Sequence, residues 1–200
     1  MWMQLQVEKT IDGTRYRPGD WYEADKQTAR RWLAQTEAWV PPHRAKELLP
    51  TGSGIVVSRI TKEVKALAQR FELGLVEGPP ELRFARTLIW DTAIALRPEL
   101  VPVGFGLLET WQVAVPLRDY DILAANLGTA EERKRTEDVI HDLRVIAYEP
   151  GILFVQDCEE AGVLLRRWER EGRGDLAFLR ALYQARPMVL ALPSVWAQKA

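Results

Sequence analysis

The sequence predicts an α/β fold: a mixed, mostly parallel sheet with flanking helices, preceded by a small α+β module. Two hundred residues are enough to bury a sizeable core. From Gly54 onward, short apolar runs alternate with segments of helical spacing, which is typical of strand–helix–strand units. The run over residues 87–96 is almost unbroken in apolar character, and it predicts a central strand covered on both faces.

The charge and cysteine content excludes several classes of protein. Lys and Arg number 27 against 28 Asp and Glu, so the net charge of −1 creates no global field that attracts nucleic acid or an anionic membrane. The single cysteine, Cys158, excludes an internal disulfide framework and a Cys-rich zinc site, and we expect it to be a small core residue. No apolar run approaches the roughly 18 residues that span a bilayer. We therefore expect no membrane segment.

Residues 1–40 are predicted to form a separate small unit of two strands and one helix. The alternation of Met3–Lys9 predicts a half-buried strand, and Trp21–Glu23 predicts a second, shorter one. Asp25 is expected to cap a helix over residues 28–35. Two turn sequences separate these elements: Asp12-Gly13 and Arg17–Asp20.

This unit carries four of the eight tryptophans of the chain. We expect them to pack in its core, because so small a unit has few other apolar residues to bury. A ligand platform is the alternative. The four are Trp2, Trp21, Trp32 and Trp39.

Residues 41–53 are predicted to be a linker, since they contain prolines, glycines and a short basic segment. The second domain, residues 54–200, opens with a strand at Ile55–Ser58, a helix over 61–70 and a strand at Leu73–Val76. Segments of these lengths predict a right-handed crossover between parallel strands.

Strands and helices continue to alternate after the central strand. Thr129 and Glu132 have the spacing of a capping box, and Asp175 is expected to cap the helix that follows it. The further strands are predicted at 111–115, 151–155 and 188–192, and the further helices at 129–142, 159–171 and 175–185.

Common nucleotide-binding and hydrolytic motifs are missing from the sequence. No strand is followed by Gly-x-Gly-x-x-Gly or by Gly-Lys-Ser/Thr. Ser58 and Ser194 lack the context of a nucleophile elbow, and the histidines are His43 and His141. We expect a structural role for His141, because a cation at a helix end interacts well with the helix dipole. With these motifs missing, the chemistry that remains is the binding of a metal ion or a ligand through side-chain oxygens.

Four motifs follow one another in the second domain. A strand ends in an acidic residue, another strand ends in proline, a third follows a glycine, and an aspartate leads a helix. These motifs are Arg86–Thr92, Trp111–Pro116, Tyr148–Phe154 and Gly174–Leu182. In their order and spacing, the chain from about Gly54 onward resembles an abbreviated GT-A-type glycosyltransferase of the nucleotide-diphospho-sugar transferase superfamily.

The resemblance places the Asp-x-Asp motif of the family at Ile89 and Asp91, so one carboxylate of the pair is present. A sugar diphosphate leaving group carries charge that Mg²⁺ or Mn²⁺ neutralises through carboxylate oxygens. Carboxylates two residues apart on an extended segment point to the same side and can bind one metal ion together. The isoleucine side chain has no oxygen with which to do so.

The candidate site residues share carboxylate or hydroxyl oxygens. The resemblance implies that Asp91 and Thr92 bind the donor, that Asp91 is a ligand of Mn²⁺ or Mg²⁺, and that Asp175 is the catalytic residue, facing the acceptor or the anomeric carbon. Asp119 is a further candidate for donor binding, and Glu149 is a further candidate metal ligand.

Structural alternatives exist for these positions. Asp91 at a strand end is also suited to capping the next loop, and Asp175 to being an ordinary helix N-cap. Glu149 either replaces the lost carboxylate or leads into a strand. The turn Arg118–Asp121 follows a strand end, where α/β sheets bind ligands, and is otherwise a polar turn.

The N-terminal unit resembles a short module found widely in bacteriophage proteins, in the residues Lys9–Asp20 and Asp25–Trp39. Two functions are therefore expected. One is a glycosyltransferase-like protein with a nucleotide-sugar donor and an acceptor as partners. The other is a non-catalytic binding or assembly protein of a virion, with phage structural proteins or further copies of the chain as partners. The expected location is the cytoplasm of the host cell or the virion.

Overall fold

The secondary structure comes from a computed structural model that describes residues 1–41, 44, 51–118 and 122–199. In chain order the strands are β1 (Trp2–Leu5), β2 (Lys9–Ile11), β3 (Thr14–Tyr16), β4 (Trp21–Glu23), β5 (Ala38–Trp39), β6 (Ser53–Val57), β7 (Gly74–Glu77), β8 (Arg86–Trp90), β9 (Ile94–Leu96), β10 (Val113–Pro116), β11 (Ile152–Gln156), β12 (Val189–Leu192) and β13 (Ala197–Lys199). The helices are α1 (Lys26–Ala34), α2 (Lys62–Phe71), α3 (Val101–Leu107), α4 (Ala130–Ile140), α5 (Glu159–Arg170) and α6 (Asp175–Ala185).

Six strands form the central sheet, in the order β12-β10-β11-β8-β6-β7. Strand β11 runs antiparallel to both of its neighbours, whereas the other pairs are parallel. The α/β class and the mostly parallel sheet that the sequence predicted are therefore confirmed. The first crossover, β6-α2-β7, is also confirmed, with the N-cap of α2 at Thr61.

Helices cover both faces of this sheet, which gives three layers. Successive residues of β8 alternate between two apolar clusters: Leu88 and Trp90 belong to one, and Ile89 to the other. The first cluster includes residues of α2, α3 and the N-terminal unit, and the second includes residues of α5 and α6. This alternation is the period of two that a strand buried on both faces must show.

The N-terminal unit contains more strands than the sequence predicted. A three-stranded antiparallel sheet has the order β4-β1-β5, and β2 and β3 form a separate hairpin. Helix α1 packs against α3, so this unit and the central sheet share one apolar cluster. The predicted cap of α1 is confirmed, because the Thr28 N–H donates to Asp25 Oδ1 at 3.0 Å.

The expectation that the tryptophans of this unit are core residues is wrong for three of the four. Trp32 is buried, but Trp2, Trp21 and Trp39 are between 39% and 47% exposed. The reason is the strand period of two: Met3 and Leu5 on β1 face the core, so Trp2 and Gln4 lie on the other face, together with Trp21 and Trp39, which are opposite Gln4.

Two further expectations need correction. The central strand ends at Trp90 rather than at Leu96, because the chain turns there and β9 pairs with β13 in a ribbon of its own. Cys158 is half-buried at the N-cap of α5 rather than a core residue. Burial nevertheless raises the pKa of its thiol.

Helix α3 was not predicted. All seven of its residues are buried, so it lacks the polar face that produces a helical period. Gly104 lets it approach the sheet, because a Cβ at this position would lie 2.4 Å from the ring of Phe154. Within the described residues, no helix has the length and apolar character needed to cross a membrane.

Candidate functional site

Most of the predicted site residues lie along one edge of the central sheet. The five parallel strands end at this edge, and the antiparallel strand β11 begins there. Asp91 follows β8, Arg118 follows β10, and Glu149 precedes β11. Open α/β sheets bind ligands outside the carboxyl ends of their strands. Asp119 lies outside the described residues.

Asp91 is exposed and begins a tight turn. Its backbone N–H donates to the Gly151 carbonyl at 2.7 Å, which continues the pairing of β8 with β11 by one residue. Its Oδ1 accepts from the Ala93 N–H at 3.0 Å. The capping alternative is therefore present, and Oδ2 accepts no hydrogen bond from the described residues. Thr92 is half-buried in the same turn.

Ile89, at the other position of the motif, is a core residue. It is opposite Val56 on one side and Leu153 on the other. All three belong to the cluster beneath α5 and α6. A carboxylate at position 89 would be surrounded by aliphatic side chains, away from the edge where Asp91 lies.

Glu149 is only 7% exposed, and both of its carboxylate oxygens have contacts. Oε2 lies 3.1 Å from Arg118 Nη2 in an ion pair, and Oε1 accepts from the Gly151 N–H at 3.3 Å. Its own N–H donates to the Pro116 carbonyl at 2.8 Å. Glu149 is thus fixed between the end of β10 and the beginning of β11.

Arg118 also pairs with Asp175, whose Oδ2 lies 2.9 Å from the same Nη2. The expectation that Asp175 is the N-cap of α6 is wrong. Gly174 is the N-cap, and Asp175 is the first residue of the helix, where the helix dipole favours a carboxylate. Arg118 Nε is buried without a hydrogen-bond partner among the described residues. We call Arg118, Glu149 and Asp175 the Arg118 cluster.

Gly151 separates Asp91 from the Arg118 cluster. A Cβ at this position would lie 3.2 Å from Glu149 Oε1 and 3.5 Å from Asp91 Cβ, so both acidic residues contact the space beside the glycine. Three carboxylates and one guanidinium therefore meet at this edge, which leaves the site with an excess of negative charge when all are ionised.

The residues at this edge suit a divalent cation only in the presence of further oxygen ligands. Among the described residues, no group of three or more His, Cys, Asp or Glu side chains is arranged to hold a metal ion. Mg²⁺ commonly takes one or two protein carboxylates and completes its shell with phosphates and water. Asp91 and Glu149 match that smaller number.

The other candidate residues lie away from this edge or are solvated. His141 is exposed and ends α4 with a left-handed backbone, φ 65°. Arg166 and Arg167 are exposed on α5.

Sequence reasoning did not assign a role to Arg118 individually, although it singled out the turn that begins there. The available signal is the acidic residue Glu149 shortly before a predicted strand, since a carboxylate that is buried at such a position needs a cation to offset its desolvation. No protein-family model, curated protein or solved structure matches this chain.

Proposed function

We propose that this protein is a glycosyltransferase-like protein that binds a nucleotide-sugar donor at the carboxyl edge of its sheet and transfers the sugar to an acceptor. The observation that carries the proposal is the ion-paired Arg118 cluster beside Asp91. The mixed, mostly parallel sheet is the architecture that the resemblance to GT-A-type glycosyltransferases implies.

The cluster is better explained by ligand recognition than by stability. Burying an ion pair removes two charges from water, which costs free energy. Well-packed apolar residues at the same positions often stabilise a protein as much as the ion pair does. Here the charges lie at the edge where α/β folds bind ligands. The Arg118 guanidinium is a planar donor suited to phosphate oxygens. A diphosphate could therefore exchange with the carboxylates that now pair with it.

Each acidic residue has a role in the proposal. Asp91, whose Oδ2 accepts no hydrogen bond from the described residues, binds the donor, and Thr92 lies beside it. Asp175 pairs with the same Arg118 nitrogen as Glu149, and its role in the proposal is to face the acceptor or the anomeric carbon. Asp91 and Glu149 would hold a divalent ion that arrives with the donor, and such an ion would supply positive charge for the leaving diphosphate.

Calorimetry with UDP- and GDP-sugars, with and without Mn²⁺, tests the proposal. We expect saturable binding by one donor class, and Asp91→Asn should weaken the Mn²⁺-dependent part of it. Asp157→Asn is the matched control, because this exposed aspartate follows β11 at the opposite edge of the sheet. Absence of binding by every donor at millimolar concentration would refute the proposal.

A second candidate function is supported by the exposed tryptophans. Gln4 on β1 is opposite both Trp21 and Trp39, and Trp2 lies two residues from it on the same strand. The rings of Trp21 and Trp39 are 6.5 Å apart. We call this surface the tryptophan face. Exposed apolar patches frequently mark interaction sites, so a non-catalytic assembly protein of a virion is the alternative.

Sedimentation of the wild-type protein and a Trp21→Ser/Trp39→Ser variant tests this alternative. Self-association, or co-sedimentation with a phage structural protein, should be lost in the variant and retained in Tyr183→Ser, which changes an exposed aromatic residue elsewhere. A strict monomer that binds no such protein would contradict an assembly role.

A further inference from the structure

An apolar groove lies between α6 and the segment 140–148. Its volume is about 720 Å³, within the range of small-molecule sites. The antiparallel bridge between Leu117 and Tyr148 contributes to its wall, directly beside the Arg118 cluster. The aliphatic side chains that line it are Leu117, Ile140, Val145, Ile146, Leu179 and Leu182.

Apolar side chains at the rim of this groove are unusually open to solvent. Val145 is 38% exposed and Tyr183 is 45% exposed. They continue the aliphatic lining, so the exposed apolar surface is contiguous rather than scattered. Contiguous surface of this kind is typical of binding sites, whereas single exposed apolar residues need no explanation.

Among the described residues that line the groove, the charged ones are Asp142 and Arg186. Asp142 is compensated, because both of its oxygens accept from the Arg144 guanidinium at 3.1 Å. Arg186 is exposed and pairs with no acidic residue in the described part of the chain. The Tyr148 hydroxyl neither donates nor accepts a hydrogen bond among the described residues. Burial raises its pKa, so it stays protonated and available as a donor.

We propose that this groove binds an amphipathic anion: a molecule with an apolar body that covers the aliphatic lining and a carboxylate, sulfate or phosphate that pairs with Arg186. The charge of the ligand follows from Arg186, the one uncompensated cation among the described residues that line the groove. Tyr148 donates to a polar atom of the bound molecule. This site is separate from the donor site, and it stands whether or not a nucleotide-sugar binds.

Calorimetry with decanoate, below its micelle concentration, tests this site, and decanol serves as the uncharged probe with the same chain. We expect decanoate to bind with one site per chain and more tightly than decanol. Arg186→Gln should weaken decanoate binding about two- to five-fold, as for an exposed ion pair, and leave decanol unchanged. Val145→Asp should weaken both ligands about ten-fold or more, because it places a carboxylate against the chain.

Arg186→Lys and Trp21→Ser are the controls. The first retains the cation, and the second removes exposed apolar surface from the tryptophan face; we expect both to bind decanoate like the wild type. The proposal is overturned if folded wild-type protein binds no decanoate at millimolar concentration, or if Arg186→Gln binds both ligands as before. It is also overturned if Trp21→Ser abolishes binding, or if Val145→Asp instead separates a dimer in which a second copy fills the groove.

Discussion

Arg118 Nη2 lies 2.9 Å from Asp175 Oδ2, and this ion pair joins the end of β10 to the first residue of α6. The same nitrogen pairs with Glu149 at the beginning of β11. One guanidinium therefore fixes two acidic side chains that are far apart in the sequence. The arrangement makes Arg118 the residue on which both the stability and the proposed chemistry of this edge depend.

Removing Arg118 should leave Glu149 buried without its cation. We expect Arg118→Met to lower the free energy of unfolding by about 3 kcal/mol, in the range measured for broken buried ion pairs. Arg118→Met/Glu149→Met should recover most of that loss, because it removes the buried Glu149 carboxylate and leaves without its cation only Asp175, whose side chain is partly exposed. Urea denaturation measures both. A double variant less stable than the single variant would contradict this explanation.

Restoring the aspartate of the family motif should not restore a metal site. Ile89→Asp would bury a carboxylate among aliphatic side chains, and we expect a loss of at least about 3 kcal/mol in unfolding free energy. Ile89→Val is the matched control, with a loss of about 1 kcal/mol. Calorimetric titration with Mn²⁺ should show no gain in affinity. A stable Ile89→Asp protein with tighter Mn²⁺ binding would show that position 89 faces the site.

The contact between α3 and the sheet depends on Gly104, which has no side chain. Gly104→Ala would place a methyl group against the Phe154 ring, so we expect overpacking to destabilise the protein by about 1–3 kcal/mol. Gly78→Ala should be close to neutral, since a Cβ there would meet no atom within 4 Å. Thermal unfolding compares the two, and an equal effect of both substitutions would argue against this packing.

The capping box of α4 should make part of the stability pH-dependent. Hydrogen bonds from the backbone N–H and the side chain of Thr129 hold the pKa of Glu132 below its ordinary value of 4.5. A carboxylate whose pKa is lower in the folded state than in the unfolded state stabilises the protein at any pH above its unfolded-state pKa. This contribution is lost as the pH falls through the folded-state pKa. The urea midpoint of the wild type should therefore be higher than that of Glu132→Gln at pH 7, and the difference between the two midpoints should vanish in acid.

Glu131→Gln is the control for this titration, because Glu131 lies in the same helical turn but takes no part in the capping box. Its urea midpoint should follow that of the wild type through the acid range. A difference between wild type and Glu132→Gln that persisted below the folded-state pKa would mean that the effect is not due to ionisation.

The sequence predicted those features that depend on local pattern. The crossover β6-α2-β7 and the capping box at Thr129 were predicted correctly because their periodicity and cap residues are specific to a helix or a strand. Helix α3 was missed because it is buried on all sides and has no polar face. The exposure of Trp21 was missed because local sequence does not show which face of a strand meets the core.

The candidate site was predicted in part for the same physical reason. Asp91 could be placed at a strand end from the apolar run that precedes it. The ion pairs of Arg118 with Glu149 and Asp175 connect residues 31 and 57 positions apart. Such contacts depend on the order of strands in the sheet, which one sequence does not specify.

The central claim is that a nucleotide-sugar binds at the carboxyl edge, and hydrogen–deuterium exchange with and without donor tests it most directly. The account predicts that the donor slows exchange in the segments around Asp91, Arg118 and Gly151, and that Asp91→Asn reduces this protection. Protection confined to the tryptophan face or to the apolar groove, or no protection at saturating donor, would contradict it.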